Sequence, residues 1–332
     1  NNLKPKMNRL AWFTTQNGKK FVFGSIAAGA AATASFIYFP NTIFLQQYQE
    51  IVQCYSDGFP RDTPDKVMHC FNSAVQMLSI EEQTKKLLKP FMVVGCDLFN
   101  AGCTLSKFGA IIGIPVNYGY LSEEAIDKRE IMVSNNPFKS IYEKLMQVRQ
   151  KTVDWESEAG KKLANSLVLT DDEKIFGIAR EILTATTAKK LLYMLYPPAA
   201  FVFCYGLTTT LNKKLNLFAK PVQVRAIMYT ITILYTFSLY AFVKDYTENY
   251  YEGVVDEQLA NIGPQMALTG VNFYNKVLQR NTALREVIGD DSFTAYGNEN
   301  FFIRQRRLPL TYRKEYFEKR CREYEENLAQ EA

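Results

Sequence analysis

Two groups of charged residues are the places where helical spacing would bring chemically active side chains together. Arg180, Glu181 and Thr184 fall within about one turn of a predicted helix, and Glu252 and Asp256 lie four residues apart on another. A guanidinium can bridge two carboxylates through its fixed fork of donors. The charges belong either to two unrelated solvated helix faces or to one cluster in which Arg180 pairs with Glu252 or Asp256. We expect the cluster.

Other catalytic and metal-binding arrangements lack the residues they need. The chain has one histidine, His69, whereas a zinc peptidase site needs two imidazoles at i and i+4. No GxSxG motif and no Cys/His arrangement supplies a nucleophile. The six cysteines form no CxxC pair, although a Cys54–Cys70 disulfide stays open in an oxidising compartment. We therefore expect no enzymatic activity, no cofactor and no bound metal.

The elements that must position these charges flank two apolar runs. Leu191–Thr210 and Ala226–Val243 are each long enough for a bilayer core, and the second contains no charge. Buried core helices are the alternative, but buried helices of this length rarely lack a polar face. The runs predict a transmembrane hairpin over 191–246, with Pro197–Pro198 breaking its first arm. Its loop is basic, with Lys213, Lys214, Lys220 and Arg225.

The amino-terminal end predicts a further span. No Asp or Glu precedes Glu50, and residues 1–20 are basic, as in a mitochondrial import signal or in a basic tail starting at Met7. Residues 21–39 carry no charge and can cross a membrane. Small residues recur four apart along this span, and we expect that face to pack on the hairpin. They are Gly24, Ala28 and Ala32.

Charge also orients the three spans. The basic residues before the first span and in the hairpin loop should stay on the side from which insertion occurs. Residues 40–190 and 247–332 then lie together in water on the opposite face, and 247–332 packs on 40–190. Net charge is +5 with the basic residues scattered, so nucleic-acid binding has no support.

The water-exposed segments read as a mixture of helices and strands. Short β-branched runs at Phe91–Gly95 and Ala110–Gly119 predict strands. Thr170 and Glu173 form a capping box, so a helix begins at about Asp171. The fold class predicted is a mainly α membrane protein: an N-terminal transmembrane helix and a transmembrane helical hairpin, with an α+β water-exposed domain.

Several sequence blocks resemble the transmembrane protein 177 family of the mitochondrial inner membrane. The blocks are Gly109–Pro115, Thr152–Gly160, Ser166–Glu181, Gly270–Arg285 and Arg307–Arg313, in the family's order around the hairpin. Residues 45–90 depart from the family pattern. The positions matching the family are Gly113, Pro115, Asp154, Trp155, Gly160, Gly270, Phe273, Tyr274 and Pro309.

This resemblance implies a function that the residues alone do not. It implies a multi-pass inner-membrane protein with its bulk facing the intermembrane space, in contact with lipid. It further implies a non-enzymatic factor in cytochrome c oxidase assembly that stabilises new subunit 2 together with that subunit's membrane chaperone. The alternatives are a permanent structural subunit of a larger inner-membrane complex or an active membrane peptidase.

The order of elements is also similar to that of membrane zinc peptidases, which carry HExxH on a helix before a membrane hairpin and ExxxD on a helix after it. Arg180–Thr184 stands where HExxH would be, and Glu252 and Asp256 stand where ExxxD would be. Arg180 is a cation and Thr184 a weak ligand, so neither replaces a histidine. The similarity implies a degenerate peptidase scaffold, a pseudoenzyme whose zinc site is lost.

Overall fold

A computed structural model describes residues 12–56, 58–126, 128, 153–289, 292–301 and 303–331. Most of the basic N-terminal segment, including Lys4, Lys6 and Arg9, lies outside these residues, as does Thr152. The chain divides into two compact units. The first combines Asn1–Phe39 with Lys190–Thr247, and the second combines Pro40–Lys189 with Glu248–Ala332.

The first unit is built from apolar helices. They are α1 (Gln16–Tyr38), α7 (Lys189–Lys214) and α8 (Val222–Ala260), the last of which also extends into the second unit. In the described part of the chain, these three are long and apolar enough to cross a membrane. They confirm the mainly α membrane fold with an N-terminal span and a hairpin. The predicted break at Pro197–Pro198 is wrong, because the helix α7 continues through both prolines.

The small-residue face of α1 does not pack as predicted. Gly24, Ala28 and Ala32 are exposed, and nothing lies within 4 Å of a Cβ built on Gly24. A different face of α1 is packed, because the Phe201 ring of α7 lies 3.4 Å from a Cβ built on Gly29. The physical reason is that the bulky ring needs the space that a glycine leaves. The prediction that the Gly24 face contacts the hairpin is therefore wrong.

A small mixed sheet lies at the centre of the second unit. Its strands are β3 (Leu88–Val93), β4 (Phe99–Cys103) and β5 (Gly109–Pro115), with β5 in the middle. The central strand runs parallel to β3 and antiparallel to β4, and all seven of its residues are buried. A two-residue hairpin, β1 (Tyr55–Ser56) and β2 (Phe59–Pro60), stands apart from this sheet.

Helices cover both faces of the sheet. Leu45 and Tyr48 of α2 (Leu45–Val52) pack on one face, and α3 (Asp65–Met77) and α6 (Asp171–Thr186) pack on the other. The remaining helices are α4 (Glu82–Lys85), α5 (Glu158–Leu167), α9 (Pro264–Ile288) and α10 (Leu310–Glu331).

The core of the second unit joins segments from before and after the hairpin. Phe176 of α6 lies 5.2 Å from Phe273 and 5.3 Å from Phe317, measured between ring centroids. These rings come from α9 and α10, so the aromatic cluster ties both halves of the unit together. Apolar burial of this kind is the main stabilising contribution to folding.

Candidate functional site: a buried ion-pair network

The helix α6 carries the first half of the charged site. Its start is fixed by the predicted capping box, in which Glu173 N donates to Thr170 Oγ1 at 3.3 Å and Thr170 N donates to Glu173 Oε2 at 2.8 Å. Two turns later, Arg180 Nη2 donates to Glu181 Oε1 at 2.9 Å. Asn100 of β4 donates its side-chain amide to the other oxygen of Glu181. Both carboxylate oxygens of this buried glutamate are therefore engaged.

Thr184 has a local structural contact. Its hydroxyl donates to the Arg180 carbonyl oxygen at 2.8 Å, one turn back along α6. Threonine commonly satisfies its hydroxyl in this way inside helices. The side chain that stands in the last ligand position of HExxH thus bonds to its own helix.

The second half of the site lies on α8 and α10. Arg313 Nε and Nη2 donate to the two oxygens of Asp256 at 2.6 and 2.7 Å, a bidentate pair. Tyr274 of α9 donates its hydroxyl to the same carboxylate at 2.8 Å. Arg313 and Asp256 are only 5% and 2% exposed, and Tyr274 is fully buried. The triad of Arg313, Asp256 and Tyr274 is therefore buried, and both oxygens of its carboxylate accept hydrogen bonds.

Glu252 positions the arginine of that triad. Its Oε2 accepts the backbone N–H of Leu308 at 2.8 Å, immediately before α10, and its Oε1 lies 3.7 Å from Arg313 Nη1. Asn298 Oδ1 accepts the N–H of Thr311 at 3.0 Å and so satisfies a donor in the first turn of the helix. The start of α10, and with it Arg313, is held from two sides.

The predicted partner of the carboxylates was wrong. Arg180 does not pair with Glu252 or Asp256, because Arg313 from α10 lies beside both carboxylates and binds both oxygens of Asp256. Arg180 instead pairs with its neighbour Glu181 and stacks over the Phe273 ring at 5.5 Å. A second guanidinium beside Arg313 would add like-charge repulsion, so two separate pairs are the better arrangement.

The shifted pKa values of Glu181 and Arg313 favour the charged form of both residues. Burial by itself raises the pKa of Glu181, but the Arg180 charge and the bonds from Arg180 and Asn100 outweigh it and hold the pKa below its ordinary value. Burial by itself lowers the pKa of Arg313, yet Asp256 outweighs it and the pKa lies well above the ordinary value. Burial raises the pKa of Tyr274, so this hydroxyl stays protonated and donates.

Two further pairs surround the site. Lys189 Nζ donates to Glu248 Oε1 at 2.7 Å, joining the residue that begins α7 to the part of α8 that belongs to the second unit. Arg280 of α9 donates to the Cys96 carbonyl at 2.6 Å and to Asp97 Oδ1 at 2.6 Å. Sequence spacing gives no signal for these pairs, because each joins residues far apart in the chain.

No metal ligands converge here. Across the described residues, no group of three His, Cys, Asp or Glu side chains is placed to hold a metal ion. His69 lies exposed on α3, and neither Arg180 nor Thr184 can substitute for an imidazole. All six cysteines are free, so the Cys54–Cys70 disulfide left open by the sequence is not formed.

The positions of the family blocks serve packing as well as this site. A Cβ on Gly113 would lie 2.4 Å from Val93, one on Gly160 would lie 2.1 Å from the Asp154 carbonyl, and one on Gly270 would lie 2.5 Å from Phe317. Trp155 packs on the small core formed around Leu163, and Asp154 Oδ1 accepts the N–H of Glu156 at 3.1 Å. Pro115 ends β5, Pro309 precedes α10, and Phe273 and Tyr274 contact the two arginines of the site.

Comparison with known proteins identifies the family. The sequence model of the family described as "Transmembrane protein 177" matches residues 92–300. The chain belongs to the transmembrane protein 177 family. The matched stretch starts just after the segment 45–90 and contains the charged residues of α6 and α8.

Individual members of the transmembrane protein 177 family match nearly end to end. The Homo sapiens protein is 27% identical over 92% of this chain and 93% of its own length. The Rattus norvegicus protein is 25% identical over the same shares, and the Xenopus laevis protein is 24% identical over 81% of this chain and 84% of its own. No solved structure matches the chain. The chain is thus a transmembrane protein of this family.

Proposed function

We propose that this protein is a non-enzymatic assembly and stabilising factor for cytochrome c oxidase subunit 2, acting with that subunit's membrane chaperone in the mitochondrial inner membrane. The observation that carries the non-enzymatic part is the ion-pair network. The carboxylates at the positions resembling a peptidase site are held by arginines, an asparagine, a tyrosine and a backbone N–H. The identity of the client rests on the family resemblance.

The engaged carboxylates argue against acid–base or metal chemistry at these positions. A general base must reach its substrate's proton, and a metal ligand must offer a free lone pair to the ion. Asp256 is held at both oxygens by Arg313, and Glu181 accepts at both oxygens from Arg180 and Asn100. Freeing Asp256 would deprive the buried Arg313 of its bidentate partner, which is strongly unfavourable, and freeing Glu181 would leave the partly exposed Arg180 without its carboxylate.

A surface inside the first unit suits a membrane client. The exposed middle of α1 is lined by small residues, and the built Cβ of Gly24 contacts nothing within 4 Å. Helices in bilayers associate closely where small residues let their backbones approach. A newly inserted client helix would find a packing face here that the hairpin does not use. The face comprises Gly24, Ala27, Ala28, Ala31 and Ala32.

The sequence and the composition of the second unit both support the proposed topology. Residues before and after the hairpin form one compact unit, which requires both segments to be on the same side of the membrane. The basic residues of the hairpin loop favour the matrix for that loop. We therefore place the second unit in the intermembrane space. Protease added to mitoplasts should digest α10, and protection of α10 until the inner membrane is dissolved would contradict this orientation.

The client is tested by affinity purification in mild detergent after a short pulse that labels mitochondrial translation products. We expect labelled subunit 2 and its chaperone to copurify early and to decline during the chase. Partners that stay stoichiometric through a long chase would instead identify a permanent structural subunit. Absence of subunit 2 at every time would refute the proposed client.

A matched pair of variants locates the contact. Gly24→Leu adds bulk to the exposed small-residue face of α1, and Gly206→Leu adds the same bulk to α7 at a position where a Cβ also meets nothing within 4 Å. We expect only Gly24→Leu to reduce recovery of labelled subunit 2, at unchanged abundance of the protein. Equal recovery with both variants would exclude this face as the contact.

A further inference from the structure

One end of the sheet in the second unit is tied to the places where the chain enters and leaves its spans. The N–H of Gly102, near the end of β4, donates to Asn41 Oδ1 at 3.1 Å, and Asn41 ends the first candidate span. The N–H of Thr104 donates to the Ala185 carbonyl at 3.0 Å, and Ala185 precedes the span beginning at Lys189 by four residues. Four residues reach at most about 14 Å.

The turn that closes this end is held by its own hydrogen bonds. It connects β4 to β5, whose last pairs are Gly102↔Ala110 and Cys103↔Gly109. Gly102 and Gly109 both have φ of +76°, a conformation that favours glycine. Ser106 N and Oγ donate to the Cys103 carbonyl at 3.2 and 3.0 Å, so the turn keeps its shape.

What this end presents is apolar. Leu105 at the tip of the turn is 59% exposed, and Ile43 and Phe44, which follow Asn41, are 53% and 49% exposed. Lys107 is also exposed, and its ammonium lies 5.4 Å from the centroid of the Phe108 ring. Apolar tips flanked by a long cationic side chain are the composition that inserts into the boundary between headgroups and acyl chains.

We propose that this end of the second unit, formed by Leu105, Ile43 and Phe44, is inserted into the headgroup and acyl boundary of the bilayer. The occupant is lipid because both anchors of the surface, Asn41 and Ala185, lie at the ends of membrane spans in the chain. Lys107 then extends its ammonium to the level of the lipid phosphates. The inserted turn would hold the sheet and its ion-pair network at a fixed height above the membrane.

The opposite end of the sheet supplies a matched control. Leu121 is 58% exposed, almost the same fraction as Leu105, and it lies six residues after the last residue of β5, Pro115. The carbonyl oxygen of its neighbour Tyr120 accepts a hydrogen bond from Lys174 Nζ at 3.3 Å, near the start of α6. The N–H of Thr104, by contrast, donates to the Ala185 carbonyl near the end of that helix. Eleven helical residues separate Lys174 from Ala185, a rise of about 16 Å. Leu121 should therefore remain in water.

The test uses the full chain in nanodiscs of phosphatidylcholine, with and without bromine on the acyl chains, and reads tryptophan fluorescence. For each variant, the signal of the unsubstituted protein is subtracted, because Trp12 and Trp155 also emit. We expect the tryptophan of Leu105→Trp to lose roughly half of its emission in brominated lipid, as a side chain within the acyl boundary would. The tryptophan of Leu121→Trp should lose almost none.

Two results would overturn the proposal: no quenching above background at Leu105→Trp, or equal quenching at Leu105→Trp and Leu121→Trp. Ile43→Trp gives a second, independent reading of the same surface should Leu105→Trp fail to fold. Quenching at Ile43→Trp with none at Leu121→Trp would then support insertion, and absence of quenching at Ile43→Trp would refute it.

Discussion

Removing Arg313 should destabilise the second unit severely. Arg313→Ala leaves the Asp256 carboxylate buried, with only the Tyr274 hydroxyl still donating to it. Breaking a buried pair by deleting one partner costs about 3–5 kcal/mol. For a unit of this size each kcal/mol lowers the melting temperature by roughly 2–4 °C, so we expect a fall of roughly 6–20 °C.

The assay is thermal unfolding in detergent, followed by emission from Trp155 in a Trp12→Phe background, because Trp155 belongs to the second unit. Arg322→Ala is the matched control, since Arg322 lies exposed on the same helix. Surface substitutions of this kind usually change stability by less than about 0.5 kcal/mol.

A double-mutant cycle separates the ion pair from lost packing. Arg313→Ala with Asp256→Ala removes both charges, so the double variant should cost less than the sum of the single variants by roughly 0.5–3 kcal/mol. Additive costs would show that the two side chains act independently. A shift for Arg313→Ala no larger than that for Arg322→Ala would refute the reasoning altogether.

Four further predictions concern the same core. The pKa of Glu181 is lowered in the folded protein, so the stability that this carboxylate contributes is complete above the ordinary carboxyl range and is lost as pH falls through the folded-state pKa. Glu181→Gln should therefore lose less stability on acidification than the unsubstituted protein, as measured by melting curves between pH 7 and 3. Gly177→Ala would place a Cβ 2.3 Å from the Tyr118 hydroxyl, and chemical denaturation should reveal a loss of about 1–3 kcal/mol from overpacking. Arg180→Ala should lower cellular abundance on immunoblots because it deprives buried Glu181 of its cation, while exposed Lys161→Ala should not. Elemental analysis of the purified protein should find no stoichiometric zinc, and one zinc per chain that is lost on Glu181→Gln or Glu252→Gln would contradict the non-enzymatic proposal.

Local rules were sufficient wherever one stretch of chain determines the outcome. The capping box at Thr170 formed as predicted, because both of its bonds lie within four consecutive residues. The strand predicted at Ala110–Gly119 formed in part, because Gly109–Pro115 is the buried central strand whereas Val116–Gly119 is a short 3-10 helix. The strand Phe99–Cys103 was missed, because FNAGC contains no β-branched residue and pairs only through its neighbour β5.

Long-range choices could not be read from spacing. Arg180 and Arg313 were equally able to neutralise Asp256, and the choice depended on how α10 approaches α8. The tyrosine that completes the triad, Tyr274, was marked only by the family resemblance. The small-residue face of α1 was correct as a pattern and wrong in its partner, since periodicity identifies a face without identifying what covers it.

The network also places a condition on how this protein can assemble. Asp256 lies on the helix that continues from the third candidate span, and its cation, Arg313, follows 57 positions later on α10. The ring under Arg180 comes from Phe273, also after the hairpin, although Arg180 itself precedes it. The Arg180–Glu181 pair lies wholly before the hairpin and the Asp256–Arg313 pair wholly after it. The ion pairs Lys189–Glu248 and Arg280–Asp97 join the two segments, and they can form only when both segments meet. An incorrectly inserted hairpin would leave Arg180 without its aromatic partner, and a chain ending before Arg313 would leave Asp256 buried beside no cation. Because buried unpaired charges are costly, Lys189 and Arg280 favour the form in which the segments before and after the hairpin meet.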